Sequence, residues 1–301
     1  MVKLKEFFQR YWLFILLAFL ATVIVGVVIL RPKAPGAPKL ASLAQPYFSK
    51  ANLAEGRIFY HLSLDKEVAE TPKELPVFSA QLRSYFDYSK LARPNLEGEK
   101  IVDSALQAAG FAKGFLKENN RWTPELENGE YETNFLKIGG FEVYEIQFLE
   151  DAEIIITQFY PKINDYLIVG RIPFSGLMEV WVAKNGRIQK VKDELAQYDQ
   201  TKPINYPLTS LDEAWQQIEE QKGTVVYVGT QEETYDLSPV KISDVTINKA
   251  FLAYFQEEEQ PSFLQPIWVF QGKAIFRDGT ETEVAIYLPA IEEKYFITPG
   301  F

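Results

Sequence analysis

The 301-residue chain contains no cysteine and a single histidine, His61. The first absence excludes disulfide bonds, a thiolate nucleophile and any cysteine-ligated metal. The second excludes a metal site built on several imidazoles. There is no Gly-rich phosphate cradle, no His-Glu-x-x-His and no Gly-x-Ser-x-Gly, so P-loop, zincin and nucleophile-elbow chemistry have no motif to rest on. No cofactor fingerprint is present. Ser-x-x-Lys occurs twice, at Ser63–Lys66 and Ser238–Lys241. In penicillin-binding enzymes that serine opens a helix. Here the first match ends a strand pattern and the second contains Pro239, so both are chance matches. An excess of positive charge is also lacking. The formal net charge is −10, and Lys3, Lys5, Arg10 and Arg31 against Glu6 put +3 on residues 1–31, leaving −13 on the remainder. Such a body is repelled by nucleic acid and by anionic lipid.

Charge is missing altogether from one stretch, Tyr11–Leu30. At 1.5 Å per residue, ~20 apolar residues cross the ~30 Å hydrocarbon core as a helix. The run exceeds the ~7–15 apolar residues of a cleaved signal and ends in Arg31-Pro32-Lys33 rather than at a small-residue cleavage site. We therefore read it as an uncleaved anchor, with Tyr11 and Trp12 at the membrane interface. Lys3, Lys5 and Arg10 on one side balance Arg31, Lys33 and Lys39 on the other. The short basic tail, typical of a signal-anchor, places the N-terminus inside and the body outside the cell membrane. Ala18, Thr22 and Gly26, spaced by four, form a candidate interface with another membrane helix. The expected organisation is a tail over 1–10, a transmembrane helix over 11–30 and a Pro-rich linker over 31–46. A membrane-proximal α+β domain over 47–200 and a C-terminal α+β domain over 201–301 follow.

The body alternates between two periodicities. Ile58, Tyr60, Leu62 and Leu64 share one face of a strand with His61 on the other. Residues 66–95, rich in proline and charge, read as connector. A helix is predicted over Leu96–Ala109, capped by Asn95 and stopped by Gly110. From Glu130 to Val191 the period is two, which predicts successive antiparallel strands at 131–138, 141–149, 153–160 and 166–172. Asn185-Gly186 joins a hairpin between Met178–Lys184 and Arg187–Val191. Ser210-Leu211-Asp212-Glu213 is a capping box opening a second helix whose buried face carries Leu211, Ala214, Trp215 and Ile218. A terminal hairpin pairs Ile267–Arg277 with Glu281–Ala290 across Asp278-Gly279, its apolar face turned toward a helix. These patterns predict an α+β fold of antiparallel curled sheets, each packed by a helix, an arrangement compatible with two similar units.

The run from Gly186-Arg187-Ile188 through Leu208-Thr209-Ser210-Leu211-Asp212-Glu213-Ala214-Trp215 to Leu264-Gln265-Pro266-Ile267-Trp268-Val269-Phe270-Gln271-Gly272 resembles the YycH/YycI family. These are membrane-anchored regulators of a cell-wall sensor kinase, with PepSY-like domains. The resemblance covers about Leu167 to Ile291. It implies binding and regulation without catalysis, with a membrane protein such as a sensor kinase as partner. The expectation is an envelope regulator or scaffold acting by protein–protein contact. The alternatives are an envelope module binding a peptide or glycan, for which Trp122 and Trp181 form the candidate aromatic surface, and a cell-wall hydrolase.

Overall fold

The computed structural model describes residues 42–301 apart from 66–67, 69, 92–95, 97, 140–141, 230–238, 258–260, 277–278 and 298–301. The strands are β1 (Phe59–Leu62), β2 (Glu74–Gln81), β3 (Glu130–Gly139), β4 (Glu142–Ile146), β5 (Ile154–Tyr160), β6 (Lys162–Ile163) and β7 (Tyr166–Val169). They continue with β8 (Met178–Ala183), β9 (Ile188–Asp193), β10 (Gln197–Pro207), β11 (Thr224–Val228), β12 (Ile242–Phe255), β13 (Phe263–Phe276) and β14 (Glu281–Pro289). The α-helices among the described residues are α1 (Ala105–Glu118), α2 (Pro124–Glu127) and α3 (Leu211–Glu219).

The balance is a correction to the α+β expectation: among the described residues the body is mostly β, in two sheets, with three helices. Two strands lie where no strand is predicted, one within the 66–95 connector and one in the polar stretch that carries Pro203 and Pro207. Glu74–Gln81 and Gln197–Pro207 pair with each other, and β2 then pairs with β13 through Phe263 and Leu264. Pro76, Pro203 and the polar residues of β10 hide this pairing, because an edge strand tolerates proline and its exposed side chains carry no apolar alternation. β10 is such an edge, exposed at all but a few positions.

The first sheet is centred on the antiparallel pair β12–β13, which runs from Ile242↔Phe276 to Phe255↔Gln265. β14 and β11 extend it beyond β13, and β1 and β7 both pair parallel with β12. β13 is buried without a break from Leu264 to Phe270, as a strand covered on both faces must be. One face meets α3 through Trp268, Phe270, Val284, Ile286 and Leu288 against Ala214 and Ile218. On the opposite face Phe48, Val269, Phe255 and Tyr287 pack together. α3 opens with the expected capping box, Ser210 Oγ and Glu213 satisfying each other's backbone N–H groups. Trp215 is half-buried, its ring 6.2 Å from that of Phe270.

The second sheet has the order β4-β3-β5-β8-β9, all antiparallel. Its strands fall close to the predicted ones, and the β8–β9 turn uses Gly186 at φ +80°. α1 covers one face, with Ala108, Ala112 and Leu116 against Ile155, Phe159, Met178 and Val180. This helix is displaced from the predicted one. Its cap is Ser104, whose Oγ accepts from the Gln107 N–H; Asn95 and Glu97 lie outside the described residues, and Ile101 and Val102 precede the helix, donating to the Lys184 carbonyl. Gly110 and Gly114 sit inside the helix, where a Cβ would meet nothing within 4 Å. Each costs about 1 kcal/mol against alanine, which burial of Ala108, Ala112 and Leu116 outweighs.

The same core that lines α1 takes in Phe78, Tyr254 and Leu264 of the first sheet. The boundary expected at 200/201 falls within β10, and strands from both sides of it share the first sheet. Among the described residues no helix is long and apolar enough to cross a membrane. The Tyr11–Leu30 run, with Ala18, Thr22 and Gly26, lies outside them.

Candidate functional site

A cavity of about 1170 Å³ opens where β2 and β10 meet the C-terminal end of α1. Local backbone features shape it. The β10–β2 pairing changes register between Asp199 and Ile204, so β10 bows outward as bulged strands do. Asp199 holds the bow by accepting from the Thr201 N–H (2.9 Å) and hydroxyl (2.6 Å). Opposite, α1 ends at Asn119, and Asn120 takes φ +56°, a left-handed position that asparagine tolerates. That turn returns the chain so that the Arg121 N–H reaches the Leu116 carbonyl at 2.7 Å.

A largely buried ion cluster forms part of the cavity wall, with Arg83 and Arg121 among the lining residues. The Asp193 side chain, 4% exposed, stands 3.1 Å from Arg121 Nη1 and 3.6 Å from Arg83 Nη1. Arg121 Nη2 donates to the Tyr85 carbonyl (2.8 Å), and Arg83 Nη2 to the Asn120 (3.3 Å) and Arg121 (3.4 Å) carbonyls. The Arg121 guanidinium lies 5.8 Å from the Phe86 ring centre. The cluster thus ties the loop after β2, the end of α1 and the end of β9 together. Burial pushes the Asp193 carboxyl up, with Arg83 and Arg121 pulling it back, and burial lowers Arg83. Tyr198 is pushed well up by burial, and its hydroxyl donates to Gln256 Oε1.

The surface facing the cavity differs in character. Its acidic groups are engaged by neighbours: Glu125 Oε1 accepts from Gln200 Nε2 at 2.6 Å, Asp199 from Thr201, and Asp87 from Ser89. Facing solvent beside the exposed Asp87 and Asp199 are amide, hydroxyl and aromatic groups: Gln81, Ser84, Asn120, Gln197 and Gln200 are exposed, and Tyr85 at the rim is 96% exposed.

The two candidate tryptophans do not form one surface. Trp122 packs edge-on against Phe159 (5.3 Å) under Lys113 (4.8 Å), on the face of the second sheet that α1 covers. Trp181 packs with Leu136, Ile138, Ile154 and Ile156 on the opposite face, under Lys190 at 4.5 Å. Their indole N–H groups are bonded to Glu127 and Glu179. Trp268 is core, donating to the Thr209 carbonyl at 3.1 Å. His61 is exposed, 3.8 Å from Asp244. None of these lines the cavity. Its residues come from the unrecognised strands β2 and β10 and from the displaced end of α1, and no motif marks them. Among the described residues no group of three or more acidic or histidine side chains is placed to hold a metal.

No protein-family model matches the chain, and no curated protein matches it. A distant structural likeness is to an uncharacterized protein from Eubacterium rectale ATCC 33656, with 12% identity and a TM-score of 0.34 over 69% of this chain. The match spans about 60% of that protein's length.

Proposed function

We propose that the chain is a non-catalytic binding module of the cell envelope, held at the membrane by Tyr11–Leu30 with its body outside, and that the cavity beside Tyr85 takes a neutral oligosaccharide. The observation that carries this reading is the lining of the cavity: its arginines are paired with Asp193 and its carboxylates accept hydrogen bonds from neutral neighbours, while amides, hydroxyls and an exposed ring face solvent beside them. A sugar presents hydroxyls that both donate and accept. Amide side chains match both roles, whereas a free charge matches one. The C–H face of a pyranose needs an apolar surface, which a tyrosine ring supplies while its hydroxyl stays wet. Cavities of this order, roughly 300–1,000 Å³, suit small ligands. The hydrogen-bonded state of Glu125, Asp87 and Asp199 favours holding a ligand over general acid–base work. The reading as a regulator of a sensor kinase rests on the resemblance of the Leu167–Ile291 stretch.

A titration of the 15N-labelled full chain in micelles tests the oligosaccharide reading, with tetramers of N-acetylglucosamine and of glucose as probes. The side-chain amides of Asn120, Gln197 and Gln200 should shift, and Tyr85→Ala should weaken binding about tenfold, as loss of ~1.4 kcal/mol of ring contact would do. Absence of shifts at millimolar sugar, or binding untouched by Tyr85→Ala, would sink the proposal.

A further inference from the structure

The outer edge of β12 is occupied at its two ends and open in the middle. β1 pairs with it from Asp244 to Ile247, and the Ser63 and Asp65 N–H groups continue that contact to the Ile247 (2.8 Å) and Asn248 (2.9 Å) carbonyls. β7 pairs with it at Tyr254 and Phe255, and the Gln256 N–H reaches the Val169 carbonyl at 2.9 Å. Between them, from Lys249 to Ala253, no strand pairs with this edge among the described residues. The Asn248 carbonyl and the Gln256 N–H both point outward, so by alternation the backbone groups of Ala250 and Leu252 point the same way. Backbone donors and acceptors at a strand edge are a template for another extended chain.

The space over this edge is an existing cavity of about 510 Å³, mostly apolar, lined by Val68, Tyr166, Ala250, Phe251, Leu252 and Trp268. At its rim stand the carboxylates of Asp65 and Glu70, neither in an ion pair among the described residues. Among the described lining residues the one cation is Lys249, over the Phe251 ring at 4.9 Å. The slot therefore combines a hydrogen-bonding edge, an apolar pocket and two carboxylates against one ammonium.

We infer that this slot receives an extended peptide of about six residues, apolar at alternate positions and carrying a lysine or arginine, which adds as a strand to β12 between β1 and β7. Five paired residues at ~3.3 Å each span ~16 Å, the length of the open stretch from Lys249 to Ala253, and the sixth extends beyond the edge. Main-chain pairing holds the peptide, while the pocket and the two carboxylates select its side chains. The site is separate from the Tyr85 cavity, and the inference does not depend on that cavity's ligand.

The probe is an acetylated, amidated hexapeptide of one lysine followed by alternating valine and threonine, with a fluorescent label. Anisotropy with the full chain should show binding. N-methylating alternate peptide nitrogens, which removes donors without altering the protein, should weaken it at least tenfold. Asp65→Asn combined with Glu70→Gln should weaken the lysine peptide several-fold and leave a glutamine-substituted peptide unchanged. Amide exchange at Ala250 and Leu252 should slow on binding. No binding at millimolar peptide, or equal binding of the N-methylated peptide, overturns the inference. Amides of Ala250 and Leu252 already slow without peptide and unaltered by it would do the same, since the chain would then close its own slot. A loss of binding in Tyr85→Ala would move the peptide to the other cavity.

Discussion

Replacing Asp193 by asparagine keeps the side chain's size and removes its charge. At an effective dielectric of ~20, a charge pair at the 3.1 Å seen with Arg121 or the 3.6 Å seen with Arg83 is worth about 5 kcal/mol each. Desolvation takes much of this back. Burial raises Asp193 and lowers Arg83, against their mutual attraction. The substitution leaves that cost in place for both guanidiniums and removes what offsets it. A buried charge left alone costs about 3–5 kcal/mol, so Asp193→Asn should lose that much in urea unfolding of the full chain. Replacing Arg83, Arg121 and Asp193 together by apolar residues of similar volume should cost far less than the single change, because no charge is then stranded. A loss below about 1 kcal/mol for the single variant would refute the claim that the cluster is buried and mutually dependent.

Gly272→Ala should be among the most damaging single substitutions, because the new Cβ would stand 2.0 Å from the Thr246 carbonyl oxygen and 2.8 Å from Ile247 Cα. Both neighbours are backbone of the paired strand β12, and a loss above about 3 kcal/mol, or no folded protein in a thermal melt, is expected. Ser210→Ala should cost about 1 kcal/mol by chemical denaturation, since it removes the acceptor for the Glu213 N–H. Hydrogen bonds from the Ser210 N–H and hydroxyl lower the Glu213 carboxyl; its contribution is therefore present above the ordinary glutamate range and lost as pH falls through the lowered value. Ser210→Ala should flatten that acid limb.

The parts of the fold legible in sequence are those whose reasons are local. Asn185-Gly186 marks its hairpin because the turn requires positive φ, and Ser210 with Glu213 marks a helix start because two orphan N–H groups need acceptors three residues apart. The face formed by Trp268, Phe270, Ala274, Val284, Ile286 and Leu288 is readable because it covers α3. The failures share a cause. β2 and β10 are strands because they hold each other and β13, and neither carries the alternation of a half-buried strand. The start of α1 differs from the predicted one because Asn95 is a good cap by type, while the apolar spacing that meets the second sheet begins at Ala108. The cavity inherits both errors, since it is lined from β2, β10 and the far end of α1. Trp122 and Trp181 are ordinary amphipathic packing residues, and their aromaticity alone pointed away from the cavity.

The route of the chain through the first sheet also has a consequence for biosynthesis. β1 and β2 leave the ribosome early, yet β10, the first partner of β2, begins only at Gln197, and β12 and β13, which pair with β1 and β2, begin at Ile242 and Phe263. At ~5–20 residues per second the first strands wait on the order of ten seconds before a native partner exists. The second sheet, whose strands run from Glu130 to Asp193 and pair among themselves, is complete before any of these partners. The nascent chain therefore passes through a stage in which a finished antiparallel sheet is flanked by an unpaired N-terminal arm carrying Phe59, Leu75, Val77 and Phe78. During that interval the arm is exposed to aggregation and to chaperones, and closure of the first sheet by β12–β14 ends it.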